Sequence, residues 1–264
     1  MSTSAIEHRS AANLVGLRTI ILREYGRIIR IWGQTILPPA ITATLYFIIF
    51  GRLIGSRVGE MHGYSYLQYI APGLIMMNVI TTSYGNVVSS FFGAKFGKHI
   101  EELLVSPLPN FLIVLGYMFG GLMRGLIVGG VVSLIALAFT HLHMQHPFII
   151  VGAVLLTSMT FSLAGMINAV FAKNFDQVNF IPTFVLTPLT YFGGVFYTIT
   201  LLPEFAQKLS HLNPILYMVN AFRFGFIGIS DVHVGVAFGI MMTAVVALFS
   251  VCMYLLNKGV GLRD

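Results

Sequence analysis

Charge is scarce in this sequence. Asp, Glu, Lys and Arg make up 9% of its 264 residues, against about a quarter in a soluble domain. A water-soluble globule is thereby excluded for most of the chain. Carboxylates are the scarcer sign, nine against fifteen Lys and Arg. Cys252 stands alone inside an apolar segment, so no intrachain disulfide staples the fold. The phosphate-cradling loop Gly-x-x-x-x-Gly-Lys-Ser/Thr is missing, which excludes an ATP site of that kind on this chain. No cleavable signal peptide is expected. The first thirty residues are polar and Arg-rich, with no short apolar core ahead of a small-residue cleavage site.

What is present is apolar. Hydrophobic residues make up 56% of the chain, and the mean hydropathy is +0.86. Six apolar stretches occur, at about 31–54, 64–92, 111–139, 148–172, 180–196 and 232–257. All but 180–196 reach the ~20 residues that carry a helix across a bilayer. Strands of a membrane barrel would instead run about 10 residues with alternating polarity. The expected fold class is therefore all-α, a polytopic membrane protein. Residues 1–30 form a cytoplasmic tail and an amphipathic helix, and residues 31–264 form one transmembrane domain.

In that first helix Arg23, Arg27 and Arg30 share one face. Leu14, Ile21, Tyr25, Ile28 and Trp32 are read on the opposite one. The pattern suits a helix lying among headgroups with an aromatic anchor. It also suits a soluble helix packed on a partner domain. Pro38-Pro39 should kink or interrupt the first span. Glycines 116, 120, 121, 125 and 129 make overlapping small-xxx-small pairs that let helices approach closely in lipid.

Basic residues set the orientation. Arg9, Arg18, Arg23, Arg27 and Arg30 precede the first span, which puts the N-terminus in the cytoplasm. With six spans Lys95, Lys98, Lys173, Lys258 and Arg263 also fall inside, and so does the C-terminus. A minority, Arg52, Arg57, Lys208 and Arg223, fall outside. A seventh span within 197–231 would put the basic C-terminus outside. That region is therefore expected to be a re-entrant or interfacial element on the outer side, tolerable only where protein or water covers its backbone.

Energy coupling by ions finds little support. Glu7, Glu24, Glu60, Glu101, Glu102, Asp176, Glu204, Asp231 and Asp264 all fall in loops or at span ends. Ion-driven carriers usually keep an ionisable group within the membrane. Arg124 is the one charge deep in a span. Either it faces a cavity or an anionic headgroup, or the span starts late and the side chain snorkels to the cytoplasmic interface. His141, His143 and His146 form His-x-His-x-x-His in an outer loop. A solvated loop is the simpler reading, and no metal site is expected.

The chain resembles the ABC-2 type permeases over essentially its whole length, and within them the YadH-type inner-membrane permeases of Gram-negative bacteria. The resemblance is carried by the basic amphipathic helix, by the charged helix at about 95–105, and by the run from Pro182 through Thr187-Pro188 and Gly193-Gly194 to Tyr197. Leu202-Pro203, Pro214, Tyr217 and Arg223 follow at similar spacing. It implies a homodimer of six-helix subunits bound to two copies of an ABC ATPase subunit, with ATP and Mg on that partner. It also implies that 95–105 is the coupling helix. On that reading Ile100, Leu103 and Leu104 insert into a groove on the ATPase, with Lys98, Glu101 and Glu102 at the rim. The alternative is a solvated loop helix with its apolar face on the membrane. The substrate path is expected at the dimer axis, lined by Asn78, Thr82, Tyr84, Phe184, Thr187 and Tyr191. These residue types equally serve helix–helix hydrogen bonding. Pro203, Pro214 and Arg223 would belong to an outer cap.

The implied function is the permease subunit of an exporter in the bacterial inner membrane, moving an amphipathic, drug-like, lipid or glycan substrate. It is not itself an enzyme, has no nucleic-acid partner, and lies among membrane lipids. An ion-coupled carrier or channel without an ATPase is the alternative.

Overall fold

The computed structural model describes residues 3–140 and 142–261, with side chains from residue 12 onward except those of 52, 53, 56 and 104. α1 (Thr3–Arg30) ends with Arg27 and Arg30 in its last turn, where cations complement the helix dipole. α2 (Trp32–Ile48) runs through Pro38 and Pro39 without ending. The two prolines lack N–H groups, so the helix instead forgoes two ladder bonds there. A π-turn (Ile49–Ile54) and a short α3 (Gly55–Val58) continue it. A tight hairpin follows, β1 (Glu60–Met61) against β2 (Tyr64–Ser65). His62 and Gly63 turn it with φ of 54° and 80°, as a two-residue hairpin loop requires.

α4 (Tyr66–Phe96) opens with a capping box, Ser65 and Gln68 bonding each other's backbone N–H. Most of it is buried, from Tyr69 to Phe92, so its apolar surface on all sides has partners. Lys98, at φ 60°, breaks the chain into a separate short helix, α5 (His99–Val105). Pro107 and Pro109 stop it before α6 (Asn110–Phe139). α7 (Pro147–Phe171) begins on a proline at its first position. The next stretch is one interrupted helix: α8 (Phe175–Ile181), a π-turn (Pro182–Leu186) and α9 (Thr187–Phe192). It starts five residues earlier than expected, because Asn174 caps it by accepting from the Gln177 N–H at 2.9 Å. α10 (Glu204–His211), α11 (Pro214–Ile227) and α12 (Val234–Lys258) complete the chain.

α4, α6 and α7 pack on one another at the centre, with α1 and α2 on the α6 side and α11 and α12 on the α7 side. By length and composition four helices suffice to cross a membrane: Trp32–Gly51, Asn110–Phe139, Pro147–Phe171 and Val234–Lys258.

The α6 glycines are where neighbours come closest. A Cβ on Gly116 would sit 2.5 Å from Ile20, and one on Gly120 would sit 2.8 Å from Glu24, both on α1. Gly121 and Gly125 meet Ser162 and Ser158 of α7, and Gly129 meets Val79 of α4. This packing selects the face that α1 turns to α6. Its buried stripe is Ile20, Glu24 and Ile28, while Leu14, Tyr25 and Trp32 are exposed. The flat α6 surface accepts a face containing a carboxylate, which periodicity of apolar residues had passed over.

Two glycines of the central layer abut backbone rather than movable side chains. A Cβ on Gly73 would lie 2.6 Å from the Val195 carbonyl oxygen, and one on Gly165 would lie 2.6 Å from that of Tyr84. Gly73→Ala and Gly165→Ala should each destabilise the detergent-purified protein by about 1–3 kcal/mol, seen as a lower melting temperature. Gly130→Ala, with open space around it, should leave the melting temperature unchanged or slightly raised.

Candidate functional site

At the end of the molecule bearing α5, the helix presents a mixed surface. Lys98, Glu101 and Glu102 are exposed, as are Phe96 and Val105 at 64% and 86%. The expected arrangement of apolar residues is corrected here. Ile100 is 2% exposed and packs into this chain's own core, and Leu103 is partly buried against it. The side chain of Leu104 lies outside the described residues. The left-handed turn at Lys98 rotates α5 so that its apolar stripe faces inward. Beside it a groove of about 610 Å³ runs between α5, the end of α7 and the C-terminal segment. Phe96, Lys98, Glu101, Lys173 and Val260 are among its walls. Lys95 closes the α7 end of this groove by donating to the Val170 and Ala172 carbonyls at 2.6 and 2.9 Å.

α5 is tied to the rest of the bundle through its trailing loop. Leu108 lies over Gly16, whose added Cβ would fall 2.5 Å from Leu108 Cδ1. Through this loop α5 is joined to α1, which in turn meets α6 through Ile20 and Glu24.

The sequence reading left Glu24 at a span end; the structure seats it inside the bundle, 1% exposed. Its carboxylate accepts from Arg27 at 3.1 Å, from Asn86 Nδ2 at 3.3 Å, and from Ser90 Oγ. Arg27 also donates to Asn86 Oδ1 at 2.7 Å and to the Asn86 carbonyl at 2.9 Å. The signal available in the sequence was Asn86-x-x-x-Ser90, a polar pair at helical spacing in an otherwise apolar stretch. Adjacent to this clamp is a cavity of about 500 Å³ between α1, α2, α4 and α6, and Arg124 lines it. Arg124 lies about four turns into α6.

The six expected path residues fall into two separate groups. Asn78 is buried and donates to the Leu74 carbonyl. Thr82 borders the Arg124 cavity. Tyr84 is 3% exposed, and its carbonyl abuts Gly165 of α7. Phe184, Thr187 and Tyr191 instead stand exposed on the interrupted helix, and Tyr191 stacks on Phe196 at 5.6 Å.

At the opposite end Pro203 precedes α10 and Pro214 opens α11. Arg223 is fully buried. Its guanidinium donates to the Gly194 carbonyl at 2.6 Å, the Tyr69 carbonyl at 3.3 Å and the Tyr69 hydroxyl at 3.1 Å, and lies 4.2 Å from that ring's centroid. It thus pins α11 to α4 and to the Gly193-Gly194 turn. Asp231 accepts from Thr198 Oγ1 at 2.8 Å and holds the segment that follows the turn. Of the histidine loop, His141 lies outside the described residues. His146 stacks on Phe224 at 5.1 Å. No group of three His, Cys, Asp or Glu able to hold a metal occurs among the described residues.

Residues 16–227 match the model of the family described as ABC-2 type transporter. The chain belongs to that family. It is 56% identical over 250 residues to the inner membrane transport permease YadH of Escherichia coli K12, covering 95% of this chain and 98% of that one. It is 23% identical over 215 residues to nodulation protein J of Rhizobium leguminosarum bv. viciae, covering 81% and 83%. Together with its apolar helices these likenesses make it a multi-pass inner-membrane protein of the transport-permease type.

Arg223 supplies donors to the Gly194 and Tyr69 carbonyls and to the Tyr69 hydroxyl in a fully buried setting. Arg223→Met should cost about 3 kcal/mol or more of stability, read as loss of the thermal transition or of monodisperse protein. Arg223→Lys should recover only part, since one ammonium cannot reproduce the fork.

Proposed function

We propose that this chain is the membrane-spanning subunit of an ATP-driven exporter, working as a homodimer with two copies of a separate ABC ATPase. The observation that carries this reading is the family match from 16 to 227, which includes α5 and all of the groove's walls but the C-terminal segment. The exposed Lys98, Glu101, Glu102, Phe96 and Val105 form the docking surface, while Ile100 and Leu103 transmit force from beneath it. Hydrolysis of ATP with Mg belongs to the partner.

The chain crosses the membrane six times, by α2, α4, α6, α7, the interrupted helix 175–192 and α12. α4 is 31 residues long, ample for a crossing. α11 has 14 residues, about 21 Å, too short to span. α10 and α11 therefore dip in from the outer side and return, with α11 covered by α4, α7 and α12. Six crossings leave both termini and α5 in the cytoplasm, the side where the basic residues gather.

On the helix 175–192, Asn179, Thr183, Thr187 and Tyr191 are all exposed at four-residue spacing. A polar stripe flanked by Phe180, Phe184 and Phe192 is ill placed against lipid tails. It is well placed to line an axial path between two copies for an amphipathic, lipid-like or glycan-bearing substrate moving outward. The buried Glu24 is the observation that favours an ion-coupled carrier. Its saturation by Arg27, Asn86 and Ser90 supports a structural clamp instead.

Coexpression with the cognate ATPase tests the reading. Glu101→Lys with Glu102→Lys should reduce ATPase recovery with the permease by about tenfold, at unchanged melting temperature. Ile100→Ala should lower the permease's own melting temperature, by the ~2–4 kcal/mol of a buried aliphatic truncation. An unimpaired complex in the charge-reversed variant, or uphill transport by liposomes holding this chain alone, overturns the proposal.

A further inference from the structure

We infer that the cavity between α1, α2, α4 and α6 is a binding site for the phosphate group of a lipid, with Arg124 as its principal ligand. Among the cavity's lining residues are two guanidinium groups, Arg27 and Arg124, and no carboxylate. The two are not equivalent. Arg27 has its counter-ion in Glu24 and further acceptors on Asn86. Arg124 has no ion pair among the described residues, and its Nε hydrogen is buried without an acceptor. A cation this deep in an apolar helix, without a counter-ion from its own chain, is expensive to hold unless an anion joins it.

The remaining polar groups select the sign of the ligand. Thr81, Thr82 and Ser89 donate their hydroxyl hydrogens to α4 carbonyls, those of Met77, Asn78 and Gly85, and have none to offer. Thr35 is fully buried, and its Oγ1 has no partner in the protein. The donors left over are the Arg124 guanidinium, the Thr35 hydroxyl and Arg27 Nε, joined by the exposed Gln34 side-chain amide, which can donate or accept. A set of surplus donors around a net positive charge calls for an anionic, multiply accepting group, as phosphate oxygens are. A cation would meet repulsion from both guanidinium groups.

The shape of the wall indicates that the phosphate arrives on a lipid. On α2, Ile41 and Leu45 follow the cavity-lining Pro38 at i+3 and i+7, on the same side, and are 57% and 52% exposed. Acyl chains can lie along this ridge while the headgroup reaches Arg124. Trp32, 59% exposed and next in sequence to the cavity-lining Ile31, suits the headgroup level. The site is distinct from the exposed stripe on 175–192 and does not depend on any ATPase.

The test uses the purified full chain in detergent, with phosphatidylglycerol, a diacylglycerol of the same acyl chains, and inorganic phosphate as probes. Phosphatidylglycerol should raise the melting temperature and stay bound in native mass spectra, and diacylglycerol should do neither. Arg124→Gln should weaken phosphatidylglycerol binding by about tenfold or more, and Thr35→Val by about threefold to tenfold. Arg124→Lys should keep part of the binding. Inorganic phosphate protecting as well as the lipid does would overturn the lipid assignment. Equal lipid retention by wild type, Arg124→Gln and Thr35→Val would overturn the site. Should Arg124→Gln fail to yield monodisperse protein, the contrast between the two lipids and the Thr35→Val affinity decide.

Discussion

Close backbone approach along α6 is the constraint on which this molecule depends. In lipid there is little hydrophobic gain in putting one apolar helix against another, so packing and hydrogen bonding must supply the association. The α6 glycines remove side chains where α1, α4 and α7 meet it, and each neighbour fills the space left. The interhelical contacts that result hold α1, a central layer and a cavity wall in register. Arg223 does the corresponding work at the other end, where its fork closes on the carbonyls of Tyr69 and Gly194.

These two anchorages give a mechanical picture. α5 is short, held by the buried Ile100 and by Leu108 seated on Gly16. α1 lies along α6 through Ile20 and Glu24, and the Glu24 clamp reaches α4 through Asn86 and Ser90. α5, α1, α4 and α6 are therefore joined by a continuous chain of contacts. The helix 175–192 is attached mainly at its ends, near α4 and α7 at one and α11 at the other. Its π-turn and the proline at 182 loosen its middle.

Burying Glu24 beside Arg27 is costly in isolation, and the cost is offset because every carboxylate oxygen has a donor. Arg124 lacks such compensation from its own chain. The contrast between two arginines bordering one cavity, one neutralised and one not, is what gives that cavity a ligand chemistry.

Composition alone determined that the chain is helical and spans a membrane, because 9% charge leaves no other solvent for runs of this length. The glycine spacing on α6 and the breaks at Pro107 and Pro109 were also legible, since each follows from local chemistry. The residues that meet across the bundle were not legible. Only the tertiary structure decided that Ile100 faces inward, that Glu24 joins Asn86 and Ser90, and that Tyr84 belongs to the α4–α7 seam. The physical reason is that periodicity identifies faces of a helix but not which face a neighbour covers. In a lipid-bathed bundle apolar faces need no cover, so polar residues and glycines choose the seams.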